Sequence, residues 1–230
     1  GGLYTTSSGG NAINLGGSVL GINNSSGITF NTSGAVTTGG SNSAAVVVQS
    51  ISGGGGAVFG VADATATAIT LGGQNATDNQ ADGLRLTITG DLSTFGTFSP
   101  AVLAQSIGGG GGYAPIAAEQ GTAGSRSDLN LNAGAIQLDL SGDVTTNAFG
   151  SDGLLLQSIG AGGGVLGSTS ESLTLGASNF ANGDAASITI NSTGTITTTG
   201  DQSIGITAQS IGAGGGRAGT ASGSVTLGGN

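Results

Sequence analysis

The sequence predicts an all-β fold, a parallel β-helix or β-solenoid built from four repeats of about 52 residues and uncapped at both ends. Three observations carry this expectation. A glycine-rich string recurs four times, other positions keep register with it, and the apolar residues fall in short alternating runs. The string reads Gln49-Ser-Ile-Ser-Gly-Gly-Gly-Gly, Gln105-Ser-Ile-Gly-Gly-Gly-Gly-Gly, Gln157-Ser-Ile-Gly-Ala-Gly-Gly-Gly and Gln209-Ser-Ile-Gly-Ala-Gly-Gly-Gly. The Gln positions 49, 105, 157 and 209 set spacings of 56, 52 and 52 residues.

Aligned columns run upstream of each Gln. Fifteen residues before it stand Gly34, Gly90, Gly142 and Gly194, and thirteen before it Val36, Leu92, Val144 and Ile196. Phe30, Leu86, Leu138 and Ile190 form a third column, and Ile28, Leu84, Ile136 and Ile188 a fourth. Downstream, Ile51, Ile107, Ile159 and Ile211 repeat two residues after the Gln. These Gln, Ile and Gly positions are the expected structural repeat sites. The repeats are drawn as 1–56, 57–112, 113–164 and 165–216, with 217–230 opening a fifth, all in one continuous solenoid. The extra residues of the long first spacing lie between Gln49 and Leu84, which indicates a loop on one face of the stack.

Four strands are expected in each unit. In the last they are Ser172-Leu-Thr-Leu, Ser187-Ile-Thr-Ile-Asn, Thr195-Ile-Thr-Thr and Gly205-Ile-Thr-Ala-Gln-Ser-Ile. Alternation of apolar with Thr or Ser gives the first three a buried face and a wet face. The Gln-bearing strand is more continuously apolar (Val46-Val-Val, Leu154-Leu-Leu), so it is expected to be buried on both sides or to cross the core. Gly, Asn and Asp punctuate the strands, and Pro100 and Pro115 fall just outside them. Sub-similarity among Leu173/Leu175, Ile188/Ile190 and Ile204/Ile206 tips the balance towards several coils per repeat. The columnar alignment argues for one wide layer.

Composition narrows the function. Of 230 residues 50 are Gly and only 7% carry charge, with no Cys, Met, Trp or His. The three cations are Arg85, Arg126 and Arg217, and the net charge is −9, which leaves almost nothing to neutralise phosphates and so argues against nucleic acid. No apolar run approaches the roughly 20 residues of a spanning helix, and eight Phe and Tyr are too few for the girdles of a transmembrane barrel. No membrane insertion of this segment is expected. Gly1-Gly2 reads as the tail of an earlier glycine run, and Val225-Thr-Leu-Gly-Gly matches Ile69-Thr-Leu-Gly-Gly, so the segment is read as part of a longer chain.

The glycine runs invite a phosphate-cradle reading, but a P-loop needs Lys before Ser or Thr and there is no Lys. Their structural reading is close approach of backbone to backbone, by a sharp turn or an extended polyglycine helix, and valine at Gly55 or Gly163 is expected to break it. Gln49, Gln105, Gln157 and Gln209 read as buried amides that satisfy turn backbone groups. The closest acidic pairs, Asp78/Asp82 and Asp139/Asp143, and the equivalent Asp91 and Asp143, read as solvated turn carboxylates. Repeat-bound calcium would need Asp after a glycine run at fixed spacing, and Gly183-Asp184 stands alone. No catalytic residue, cofactor site or metal site is therefore expected, and the chain is not expected to be an enzyme.

The Gln-Ser-Ile-Gly-Gly-Gly-Gly-Gly string, preceded by Ala104 and Ala208 in two units, resembles the passenger repeats of large proteobacterial autotransporter surface proteins. The resemblance covers all four units. It implies a β-helix carried outside the cell, at the bacterial outer-membrane surface, and serving adhesion, aggregation or biofilm structure. No functional residue carries over, since the repeats in that family are scaffold. The expected partners are neighbouring repeats of the same chain, with self-association and a carbohydrate or cell-surface ligand as further contacts. A self-assembling extracellular filament is the alternative. Ice binding through Thr65-Ala-Thr67, Thr87-Ile-Thr89 and Thr197-Thr-Thr199 is disfavoured because these triplets share no column. A polysaccharide lyase or hydrolase would need carboxylates or Arg converging in one groove, and the sequence pattern offers no such cluster.

Overall fold

The computed structural model describes residues 2–6, 12–15, 24–60, 65–73, 80–124, 130–176 and 182–228. Asp78 and Arg126 lie outside them. Strands are the only regular secondary structure of the described residues besides turns, and each strand pairs in parallel with its equivalent one repeat away. Two strands come first, β1 (Gly2–Thr6) and β2 (Ile13–Leu15). The first full rung then holds β3 (Ile28–Thr32), β4 (Val36–Thr38), β5 (Val46–Ile51), β6 (Gly55–Gly60) and β7 (Thr65–Leu71). The second holds β8 (Leu84–Ile88), β9 (Leu92–Thr94), β10 (Val102–Ile107), β11 (Gly111–Ala114) and β12 (Ala117–Ala123). In the third come β13 (Ile136–Leu140), β14 (Val144–Thr146), β15 (Leu154–Ile159), β16 (Gly163–Leu166) and β17 (Leu173–Leu175). The fourth has β18 (Ile188–Ser192), β19 (Ile196–Thr198), β20 (Ile206–Ile211), β21 (Gly215–Ala218) and β22 (Val225–Leu227).

Stacking these rungs makes five parallel sheets. Gln105 pairs with Gln49 and Gln157, and Gln157 with Gln209, so the register read from the repeats is the register of the sheets. One repeat is therefore one wide rung, and the expectation of several coils per repeat is overturned. Leu173/Leu175, Ile188/Ile190 and Ile206 sit on three different sheets, in successive strands around the third and fourth rungs. Their similarity reflects the alternation any half-buried strand needs, not stacking. The insertion is also placed: Tyr113 pairs with Ala57 but Ala117 pairs with Thr65, so the offset changes between β6 and β7.

The cross-section has two compartments sharing a wall. In the first, the sheets containing β8, β9 and β10 enclose Leu84, Leu86, Ile88, Leu92, Val102 and Ala104, with the same positions repeated above and below. The sheet of β5, β10, β15 and β20 is the shared wall. Its opposite face sends Leu103 and Leu155 against Ala57, Tyr113 and Val165 of the next sheet. All six residues of β10 and of β15 are buried, as expected for a strand covered on both sides. The second compartment lies between the sheets of β11 and β12, around Ile69, Leu71, Ile116, Leu166 and Leu173. Each fully buried Leu or Ile stabilises the stack by about 1.5–3 kcal/mol relative to exposure.

The fifth strand was not among the four expected, and it is the glycine run itself. Gly109 and Gly110, with φ of 80° and 81°, turn the chain out of β10. Gly111 and Gly112, at 140° and 142°, then extend into β11 in a backbone region open essentially to glycine. Consecutive glycines face opposite ways along the stack. A methyl on Gly111 would lie 1.9 Å from the Gly163 carbonyl oxygen in the next rung, and one on Gly112 1.8 Å from that of Gly56 in the previous rung. Turn and extended ladder thus coexist, and the polyglycine helix is replaced by a parallel sheet.

Gly163→Val is expected to remove the cooperative fold or cost on the order of 3 kcal/mol or more, because φ at 141° and the Gly215 carbonyl both oppose it. Thermal melts followed by circular dichroism check this. A sharper test uses one column: Gly142→Ala should cost about 1–3 kcal/mol, since its methyl would meet the Gly90 oxygen at 2.2 Å. Gly34→Ala, with nothing within 4 Å, should melt like the parent.

Candidate functional site

The repeated Gln side chains form an axial amide ladder. Gln49 Nε2 donates to Gln105 Oε1 at 2.5 Å, Gln105 to Gln157 at 2.7 Å and Gln157 to Gln209 at 2.6 Å. The second amide hydrogen of Gln105 reaches the Gly112 carbonyl at 3.1 Å, and that of Gln157 reaches Gly164 at 3.3 Å. Gln105 and Gln157 are completely buried, and their amides bind the glycine strand to the shared wall. The expected buried amide is found at Gln105 and Gln157, but its backbone partner is a strand carbonyl rather than a turn group, and Gln49 and Gln209 are only partly buried.

The neighbouring Ser and Ile divide the remaining work. Ser106 Oγ donates to the Asp82 carbonyl and accepts from Gly134 N–H, tying the wall to the segments before β8 and β13. Ser158 repeats this with Gly134 and Ala186. Ile107 and Ile159 are fully buried, whereas Ile51 and Ile211 are partly so. Gly90, Gly142 and Gly194 each lie against the backbone of the previous rung, which accounts for the column that begins at Gly34.

The acidic positions read as turn groups fall mostly into that role. Asp91 accepts from the Asp143 N–H, and Asp143 accepts from both N–H and hydroxyl of Thr195, bonds that hold the Asp143 carboxyl below its ordinary pKa. Asp82 accepts from Gly27 and Gly83 N–H. Asp139 lies 3.7 Å from the exposed Arg85 guanidinium and accepts from Asn191. Among the described residues, no group of three His, Cys, Asp or Glu could hold a metal ion.

Chemistry does gather in one place that the repeat pattern hides. A half-open groove of about 470 Å3 runs between the turns entering β10 and β15 and the strands β16 and β21. Asp152, on the turn before β15, is 2% exposed and forms an ion pair with Arg217 of β21. Its Oδ1 accepts from Ile204 N–H at 2.9 Å. Burial pushes the Asp152 pKa up, against the opposing pull of the Ile204 N–H and the guanidinium. Burial likewise raises the Tyr113 phenol, whose hydroxyl donates to the Phe98 carbonyl at 2.9 Å. Phe98 and Phe149 meet edge to face, with centroids 5.5 Å apart at 85°.

This corner also carries backbone strain. Phe98 has φ of 52°, an outlier for a bulky side chain, at a left-handed turn position that recurs in every rung, with φ of 54°, 66° and 58° at Asn42, Gly150 and Gln202. Gly150 occupies the same column one rung on, where a methyl would strike the Phe98 ring at 2.7 Å. The groove residues depart from their columns: Asp152 stands where other rungs have Ala44, Pro100 and Ile204, and Arg217 where they have Ala57, Tyr113 and Val165. Reading down columns for such departures would have found Asp152 and Arg217. Searching for short-range acidic pairs could not, since the two partners are 65 residues apart in sequence. The groove thus has the carboxylate–Arg convergence that the sequence pattern did not offer. Asp152 is the one carboxylate among its described lining residues, so the two-carboxylate geometry of glycoside hydrolysis is not assembled there.

No family model, curated protein or solved structure matches this chain.

Replacing Gln157 by Ala removes the acceptor of the fully buried Gln105 amide and is expected to cost about 1–3 kcal/mol. Gln209→Ala, at a partly exposed rung, should cost less, and chemical denaturation of both variants measures the difference. Asp152 gives a pH test. The native state holds its proton more tightly than the unfolded chain does. Its carboxyl therefore contributes stability that is full below the unfolded pKa of about 3.9 and is lost as pH rises through the raised native value. Asp152→Asn should gain stability relative to the parent as pH climbs from about 3 to 7, read from urea midpoints across that range.

Proposed function

We propose that this chain is a rigid structural and adhesive module of a long secreted bacterial surface protein, of the kind its resemblance to autotransporter passenger repeats implies. The observation that carries the reading is the unbroken register of five parallel sheets, cross-linked along the stack by amide and hydroxyl ladders. A column held this way resists bending and keeps its lateral faces in fixed order. Those faces suit weak multivalent contact. One outward column reads Thr37, Ser93, Thr145 and Thr197, and another Asn31, Thr87, Asp139 and Asn191. Apart from Asp139 these are uncharged hydroxyl and amide groups, and their constant spacing converts individually feeble contacts into avidity. No helix among the described residues is long and apolar enough to cross a membrane.

The experiment is display of the chain on a non-adherent bacterium through a heterologous anchor. Cells carrying it should clump or settle on coated surfaces severalfold more than cells carrying the anchor alone, and Gly163→Val should abolish the effect. Protease-resistant display with no change in clumping or attachment would sink the adhesive reading.

A further inference from the structure

We infer that the groove walled by Phe98, Phe149 and the Asp152–Arg217 pair is a binding site for a neutral saccharide unit. The inference names a ligand for the adhesive reading and rests on that reading only for its biological setting. It begins from the departure of this corner from the repeat. Scaffold positions hold their chemistry from rung to rung, as the Gln, Ser and Gly columns do. Here the Phe98 and Phe149 rings, a buried carboxylate and an Arg, none of which recurs in its column, gather within three adjoining rungs. The Asp152–Arg217 pair is buried on its carboxylate side only, with the Arg217 side chain 31% exposed, and the desolvation of Asp152 offsets part of the attraction, so the pair is weak evidence of added stability. Its presence in a groove therefore calls for another account.

The chemistry of the walls selects the occupant. Phe149 is 40% exposed at the groove and fixed edge to face on Phe98, so it offers an apolar surface that does not have to be ordered on binding. Arg217 lines the same groove, and with one guanidinium nitrogen engaged by Asp152 it keeps further N–H donors of a planar fork able to serve a ligand. Ser168 and Thr220 add hydroxyls at the rim, already bonded to each other at 3.2 Å. An occupant with an apolar C–H face on one side and an edge of hydroxyls on the other meets both walls. A pyranose ring has that form.

Charge and size exclude the nearest competitors. Asp152 cancels Arg217, so the groove holds no net positive charge to draw an acidic sugar, and the chain as a whole carries −9. A purely apolar guest would leave the remaining guanidinium donors desolvated and unpaired, which disfavours it. The groove volume of about 470 Å3 lies within the range of small-ligand sites.

The test measures binding of neutral tetrasaccharides of glucose, mannose, galactose and N-acetylglucosamine to the whole chain. Saturation-transfer NMR and calorimetry are the readouts, with tetragalacturonate as the acidic counterpart. At least one neutral sugar should bind at millimolar or tighter affinity and outcompete the uronate. Phe149→Ala should weaken it about tenfold with an unchanged circular dichroism spectrum. Thr220→Trp, an exposed rim change that narrows the mouth, should weaken it as well, and keeps the test decisive if Phe149→Ala misfolds. Binding to none of the neutral sugars, tighter binding of the uronate, or undiminished binding by a folded variant would each overturn the inference. Clumping of displaying cells without sugar binding removes the groove and leaves adhesion standing; sugar binding without clumping does the reverse.

Discussion

Every part of this fold answers to one distance, the separation of about 4.8 Å between neighbouring chains in a parallel stack. At that spacing a side chain directed along the axis has no room, so glycine is required wherever a Cα carries its substituent up or down the column. Gly111 and Gly112 meet the rungs on opposite sides, and the Gly90, Gly142 and Gly194 column meets only the preceding one. The same distance suits a carboxamide extended from one rung to its equivalent on the next, which is why the Gln row bonds to itself. Hydroxyls obey it too. Ser99 and Ser151 accept the N–H of the equivalent serine in the rung before, and each donates to a carbonyl of that rung, Gly40 or Gly96.

The shared wall converts this one-dimensional constraint into a three-dimensional body. A single-compartment solenoid would leave the outer face of the Gln strand wet. Here the glycine strand folds back across that face, close enough for Gln105 to reach the Gly112 carbonyl, and carries a second apolar compartment with it. Bare glycine backbone allows the approach, and the Gly112 carbonyl in turn gives the buried Gln105 amide an acceptor.

Much of this was legible from residues alone, and the limits have physical causes. Repeat register transferred directly into sheet register, since in-register parallel pairing places identical residues opposite one another. The doubly buried Gln strand was visible in its lack of alternation. The fifth strand was not, because glycine lacks the side-chain period from which strands are recognised, and a strand at φ near +140° has no propensity signature. The number of coils per repeat is hidden for a related reason: alternation looks the same whether two strands stack or follow one another around a rung. The groove leaves no repeat signal, because the Asp152, Arg217 and Phe98 side chains each depart from their columns.

The amide row has a direction. In each of its links the hydrogen points from the earlier rung to the later one, so the carboxamide dipoles align head to tail and polarise one another. Any section cut between Gln49 and Gln209 therefore has amide hydrogens on one side and carbonyl oxygens on the other. The column is an arrow rather than a rod. Two such sections join only in the same sense, and a partner turned end for end would set like against like.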